Sequence, residues 1–371
     1  MRIAVAARSL VEHPGSGGME RVTESLVREW AKVGHQVTVF TTPLDGSATV
    51  LRDSASVVEV PGTPGRYTHA WGRLLAERTR EGFDVVMGVS AAARTLAATT
   101  DRPPVVMQAH GTSLDELRTK ARIRTPRALA TAPRNALWLA RDLRDYRRYD
   151  AVVGVGPSVT HTIMDSYPAS TRPRRYVEIP NGVPAASEPP INERPEHRAV
   201  FVGRVHPEKG VELAIRALAD SRATLTICGD GSGLAAARAL AHEMGVGDRV
   251  LFLGRVDEAK VRAQMRAATA VLVPSLRREG YPLVVLESLM EGAPALVSPQ
   301  VAASLGQELP YGTVAIDLAS SPLDRALNHA RTMDSVEIAR RAAGTFSLEA
   351  AARAYLELFA SLAHENRGER S

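Results

Sequence analysis

The sequence has one cysteine, Cys228, and a lone thiol excludes a disulfide framework and a thiolate-built metal centre. No apolar run approaches the ~18 residues that a membrane-spanning helix needs. Met1-Arg-Ile-Ala-Val runs straight into a strand pattern without an apolar leader and cleavage site, so a cytoplasmic protein is expected. The Gly-x-Gly-x-x-Gly dinucleotide fingerprint is missing, and so is any recognisable nucleic-acid module. What is present is a chain of 371 residues, 44% hydrophobic. That is long for one core and suits two α/β domains of about 150–200 residues each. The net charge of +5 favours anionic partners, nucleotide diphosphates and phospholipid surfaces among them.

The most informative stretch is Pro274-Ser-Leu-Arg-Arg-Glu279-Gly280-Tyr281-Pro282-Leu283-Val-Val-Leu-Glu287. Ala270-Val-Leu-Val273 before it and Ala295-Leu-Val-Ser298 behind it read as short buried strands. Pro282 suits the first position of the intervening helix and Gly292 its end. The free N–H groups and dipole of a helix start suit a diphosphate. Glu287 lies five residues beyond Pro282, roughly 8 Å along a helix axis. That is about the span from a diphosphate to its ribose, whose two hydroxyls a carboxylate can accept from. Glu279, on the loop side, faces whatever hangs from the far phosphate, and a sugar nucleotide fits this layout. The bland alternative is an ordinary αβ unit with two solvated glutamates.

In the first half, Arg2-Ile-Ala-Val-Ala-Ala7 reads as a strand, followed by the loop Pro14-Gly-Ser-Gly17-Gly18 and a helix over about 19–33. Such a loop lets backbone approach a phosphate or a sugar closely, unless it is merely flexible. His35 falls at a helix end, where a structural role is expected. His110 ends the strand Pro104-Val-Val-Met-Gln-Ala109, where open α/β sheets bind ligands. Arg118 to Arg148 is strongly basic, with Leu137, Trp138, Leu139 and Leu143 interleaved. It could meet an anionic membrane, hold an anionic acceptor, or be a solvated helical face packing its apolar stripe inward. Pro184 to Pro195, rich in Pro, Glu and Ser, marks a domain boundary.

The Glu-x7-Glu spacing, with Gly-x-Pro-Leu inside it, Pro-Ser before it and Gly-x-Pro behind it, resembles the signature of retaining glycosyltransferase family 4. Gly203-Arg204-x4-Lys209-Gly210 resembles that family's Gly-Arg-x4-Lys-Gly, Gly229-Asp-Gly231 its Gly-x-Gly turn, and Pro180-Asn-Gly-Val183 its Pro-Asn-Gly-Val. The resemblance implies the GT-B architecture, with two Rossmann-like domains facing a central cleft and a C-terminal helix crossing back to the first. The expected divisions are an acceptor-side domain over 1–184, a linker over 185–196, a nucleotide-sugar domain over 197–346, and the returning helix with a polar, frayed tail over 347–371.

The resemblance also assigns roles. Arg204 and Lys209 stabilise the departing diphosphate, Glu287 holds the ribose, and Glu279 with His110 reaches the sugar. The physics is direct, because cleaving a sugar–phosphate bond builds negative charge that two fixed cations neutralise. Arg204 brings a planar fork to the phosphate oxygens and Lys209 a point charge. Gly17, Gly18, Gly203, Gly229, Gly231, Gly280, Tyr281, Pro282 and Leu283 line the donor, and the backbone at Arg255 and Val256 reads the base.

No metal and no cofactor is implied beyond the nucleoside diphosphate sugar, UDP-linked first and GDP-linked next. No side chain is an obvious nucleophile of the kind retaining hydrolases use, so the resemblance implies a same-face substitution. Closure about the linker would exclude water. The expected acceptor is a small-molecule or natural-product hydroxyl, with a lipid-linked cell-envelope acceptor at the inner membrane face as the alternative. A non-catalytic sugar-nucleotide scaffold, an epimerase and a phosphorylase are the rivals. Two positions depart from the family: Pro184 stands where it usually has Asp, and Pro299-Gln-Val-Ala-Ala where it commonly has Gly-Gly.

Overall fold

The computed structural model describes residues 1–13, 16–44, 50–66, 69–80, 82–123 and 126–370. Pro14, Gly15 and Arg124, and the side chains of Arg122 and Arg127, lie outside that description. The chain divides into two compact units, one of residues 1–182 with the terminal helix, the other Val183–Ser347.

The first unit is built on seven parallel strands: β1 (Arg2–Ala6), β2 (Gln36–Thr41), β3 (Ser56–Glu59), β4 (Val85–Val89), β5 (Val105–Ala109), β6 (Ala151–Gly154) and β7 (Tyr176–Glu178). Their order is β3-β2-β1-β4-β5-β6-β7. The central strands β4 and β5 are buried along their whole length, which is why they read as unbroken apolar runs rather than alternating ones. The order reverses between β1 and β4, opening a crevice at their C-terminal ends.

The terminal helix Leu348–Arg370 packs on this unit. Trp30, on the helix Gly18–Lys32, sets its ring edge-on to Tyr355 at 5.8 Å and Phe359 at 5.4 Å, and its Nε1 donates to the Ala352 carbonyl at 3.0 Å. Gln108 Nε2, on β5, donates to the Tyr355 hydroxyl at 3.0 Å. The tail from Glu365, expected to fray, is helical: Glu365 pairs with Arg175 at 2.9 Å and Arg367 with Asp84 at 2.6 Å.

The second unit has six parallel strands: β8 (Arg198–Val202), β9 (Thr224–Cys228), β10 (Val250–Gly254), β11 (Ala270–Val273), β12 (Ala295–Val297) and β13 (Thr313–Ala315). The order is β10-β9-β8-β11-β12-β13, so this sheet reverses between β8 and β11. Phe201, Ile215, Leu225, Ile227, Leu272 and Leu296 are among its buried core. Val183 pairs with Ser347, and its N–H donates to the Phe346 carbonyl at 2.9 Å, so both chain crossings leave this unit side by side.

The segment 185–196, expected as a linker, is in part stitched into this unit. Arg194 is buried, and its guanidinium donates to the carbonyls of Ala268 and Gly292 and to Ser335 Oγ. Burial without a carboxylate partner pulls that guanidinium down to about 10.

Candidate active site

The loops that follow β8, β9 and β11 interlock at the C-terminal edge of the second sheet. Gly203 N–H donates to the Cys228 carbonyl at 3.0 Å, and Val205 N–H to the Asp230 carbonyl at 2.9 Å, which binds the loop carrying Gly229 and Gly231 to the one carrying Arg204. Two glycines are required by this closeness. A Cβ on Gly210 would stand 2.0 Å from the Pro274 carbonyl oxygen, and one on Gly229 1.9 Å from that of Gly203. The loop after β10 joins through Gly229 N–H, which donates to Gly254 at 2.8 Å. Beyond Gly254, Arg255 is exposed and Val256 packs against Val200, Cys228 and Ala268.

This packing seats Lys209, at the end of the turn Pro207–Lys209, against Glu279 from the loop after β11, with Nζ to Oε1 at 2.6 Å. Burial pushes the Glu279 carboxyl up, but Lys209, Arg277 and Ser275 more than offset it and hold it below its ordinary range. Arg204 is exposed and makes no ion pair or hydrogen bond with the described residues.

The helix Leu283–Met290 begins one residue later than expected. Pro282 caps it in extended conformation (φ −74°, ψ 106°) instead of occupying its first turn. The N–H groups of Leu283 and Val284 make no hydrogen bond among the described residues, which is the free helix start an anion needs. Tyr281 is buried with its ring 6.0 Å from that of Phe346. Glu287 is buried on the second turn, and the helix ends at Glu291, whose carboxylate is gripped by Arg262 and Arg266 at 2.9 Å each.

Gly17, Gly18 and His110 belong to the first unit. Gly17 N–H donates to Glu20 Oε2 at 2.8 Å while Ser9 Oγ donates to Glu20 Oε1 at 2.6 Å. Val11 N–H donates to Glu24 Oε1 at 2.7 Å, so the described part of this loop is anchored rather than loose. Glu20, three residues after the cap, was the readable sign of this anchoring. His110 follows β5, and its Nε2 is buried with no hydrogen-bond partner among the described residues. Burial lowers its imidazole to about 4, so the ring stays neutral above pH ~5.

Sequence reasoning missed Ser90, just past β4 at the reversal of the first sheet. It is a non-glycine residue at φ +53°, a conformation that stores strain and gathers at functional sites. No residue pattern announces it. Ser90→Gly is expected to raise the denaturation midpoint of this unit, by about 1 kcal/mol from released strain. An unchanged or lower midpoint in urea would show that the Ser90 side chain offsets the strain.

The basic stretch forms the helices Ser113–Ile123 and Pro126–Asp145. Much of its described charge is engaged on the protein: Lys120 pairs with Glu116 at 2.9 Å, Arg148 with Asp145 at 3.0 Å, and Arg141 lies over the Trp138 ring at 4.7 Å. No described helix is long and apolar enough to cross a membrane.

Two family models match, "Glycosyltransferase Family 4" over residues 16–187 and "Glycosyl transferases group 1" over 187–303. The chain belongs to glycosyltransferase family 4. The D-inositol 3-phosphate glycosyltransferase of Jonesia denitrificans is 28% identical over 338 residues, covering 78% of this chain and 77% of that one. Curated relatives of higher identity, 32% to 39%, align over only 24% to 39% of their own length.

Sucrose-phosphate synthase from Thermosynechococcus elongatus superposes with a TM-score of 0.76 at 19% identity, covering 97% of this chain and 99% of that one. Anabaena HepE in complex with UDP and glucose gives 0.72 at 16%, covering 97% and 100%. These likenesses are of fold, and the fold of this family 4 chain is GT-B.

Proposed function

We propose that this family 4 chain is a metal-independent retaining glycosyltransferase that moves a sugar from a nucleoside diphosphate sugar, UDP-linked first and GDP-linked next, to a hydroxyl acceptor. The observation that carries the reading is the Lys209–Glu279 pair seated with Arg204 at the β8/β11 reversal, on the same loops as the free N–H groups of Leu283 and Val284. Arg204, Lys209 and the helix start take the diphosphate, Glu287 the ribose hydroxyls and Glu279 a sugar hydroxyl. His110, neutral, offers a ring nitrogen to the sugar.

As the glycosidic carbon–phosphate oxygen bond breaks, its electron pair stays on the diphosphate, where the two cations stabilise it. The same phosphate oxygen then takes the proton of the acceptor hydroxyl, which attacks from the face the leaving group vacates.

HepE, solved with UDP and glucose, supports a UDP-linked donor, and the relatives' name supports a small polar acceptor. A lipid-linked acceptor met at a membrane surface is the second reading, favoured by Leu137, which is 53% exposed one residue before Trp138.

Thermal unfolding with UDP, GDP, ADP or dTDP, in EDTA, tests the donor site. A nucleotide at a hundred times its Kd stabilises by about 2.7 kcal/mol, and UDP is expected to give the largest shift. Glu287→Ala should abolish that shift. A wild type indifferent to all four nucleotides would sink the reading and favour a scaffold.

A further inference from the structure

The place where the chain departs from its family, after Ser298, is not an open loop. It forms the helix Pro299–Leu305, and two serines of this stretch grip the loop that carries Glu279. At the near end, Ser298 Oγ donates to the Ser275 carbonyl at 2.6 Å while accepting from Val301 N–H at 3.3 Å. At the far end, Ser304 Oγ accepts the Glu279 N–H at 3.0 Å and donates to the Gln300 carbonyl at 3.1 Å. Ser304 is fully buried, so its hydroxyl has no water to exchange these bonds with. The start of the loop is tied a second time, through Leu276 N–H to the Glu208 carbonyl at 2.8 Å, whereas Glu279 has two anchors from outside its own loop, Lys209 on its carboxylate and Ser304 on its backbone N–H.

Those two anchors differ in what a donor does to them. A diphosphate carries more charge than a carboxylate and presents several oxygens, so Lys209 Nζ turns to it and the Lys209–Glu279 contact weakens as the site fills. The backbone bond to Ser304 is untouched by that exchange. We infer that Ser304 is a positioning residue, which keeps Glu279 aimed at the donor sugar once the diphosphate has taken Lys209. The inference rests on the donor-site reading above and adds to it a residue outside the Glu-x7-Glu motif.

The test compares wild type, Ser304→Ala and Ser304→Thr by hydrogen exchange of the 276–281 peptide with and without UDP, and by titration with UDP and UDP-glucose. Ser304→Ala is expected to bind UDP within about twofold of wild type and to lose roughly tenfold protection of that peptide only when UDP is bound, because a lost buried hydrogen bond is worth about one factor of ten. The affinity gained from the glucose of UDP-glucose over UDP should fall with it, and Ser304→Thr, which keeps the hydroxyl, should restore both. Equal exchange in Ser304→Ala and wild type with UDP bound would overturn the inference. So would a loss of UDP affinity in parallel with protection throughout the unit, the mark of a purely structural role. Failure of the wild type to bind UDP would instead remove the donor-site reading, and this inference with it.

Discussion

Lys209→Ala is expected to lower kcat/KM for sugar transfer by about 100- to 1,000-fold, the loss typical of removing one pre-set group from a developing anion. Arg204→Ala should cost a similar factor, yet the two variants should differ in stability. Arg204 is exposed and unpaired among the described residues, so its removal should leave the unfolding midpoint within about 0.5 kcal/mol. Lys209 is one of the groups that hold Glu279 ionised, and the carboxylate is only 17% exposed. Removing the ammonium leaves a largely buried charge short of its main partner, a loss of about 1–3 kcal/mol.

The pH dependence should change sign with it. In the wild type Glu279 sits below its unfolded value, so its contribution is present above the unfolded pKa and lost as pH falls through the folded one. In Lys209→Ala burial dominates, the folded pKa rises above the unfolded value, and the variant should recover stability relative to wild type on acidification from neutral pH. Urea midpoints at pH 7.5 and 5 read this directly. A Lys209→Ala variant with wild-type turnover would remove the leaving-group role.

Trp30→Ala should give the largest stability loss, about 3–5 kcal/mol for a buried tryptophan. The indole is fully buried, sits against Tyr355 and Phe359, and donates to the Ala352 carbonyl. Alanine leaves a cavity and removes the indole's hydrogen bond at the seat of the terminal helix. The melting transition of the first unit should fall by roughly 6–20 °C, taking about 2–4 °C per kcal/mol for a unit of this size. The terminal helix should become the first site of limited proteolysis, while UDP still stabilises the second unit. An unaltered cleavage pattern would show that the contacts of Gln108, Arg175 and Asp84 hold the helix without the indole.

Much of the second unit was readable because its signals are local. Pro282 and Gly292 bound a helix within two residues, the run 270–273 is a strand, the run 295–298 is one up to Val297, and Glu279 and Glu287 fall on either side of the helix start. Each of these follows from what neighbouring residues do to the same stretch of backbone. The site residues of the first unit were nearly silent for the opposite reason. Its strands were legible as buried runs, but Ser90 owes its strained backbone to the strands around it and not to a motif.

The sequence by itself determined two parallel α/β units, the terminal helix as a partner for the first, and the motifs on which the proposed donor site rests. Tertiary structure decided which of them meet. Lys209 and Glu279 are 70 residues apart, and they touch because β8 and β11 are neighbours in a sheet whose order departs from chain order. Ser304 reaches Glu279 because β12 lies next to β11, and Arg194 turns an apparent linker into a strap because the Ala268 and Gly292 carbonyls and Ser335 Oγ meet around it. Local sequence sets what each segment becomes, through propensity and hydrophobic period. The pairing of distant loops depends on strand order, which arises only when the whole sheet buries its apolar faces together.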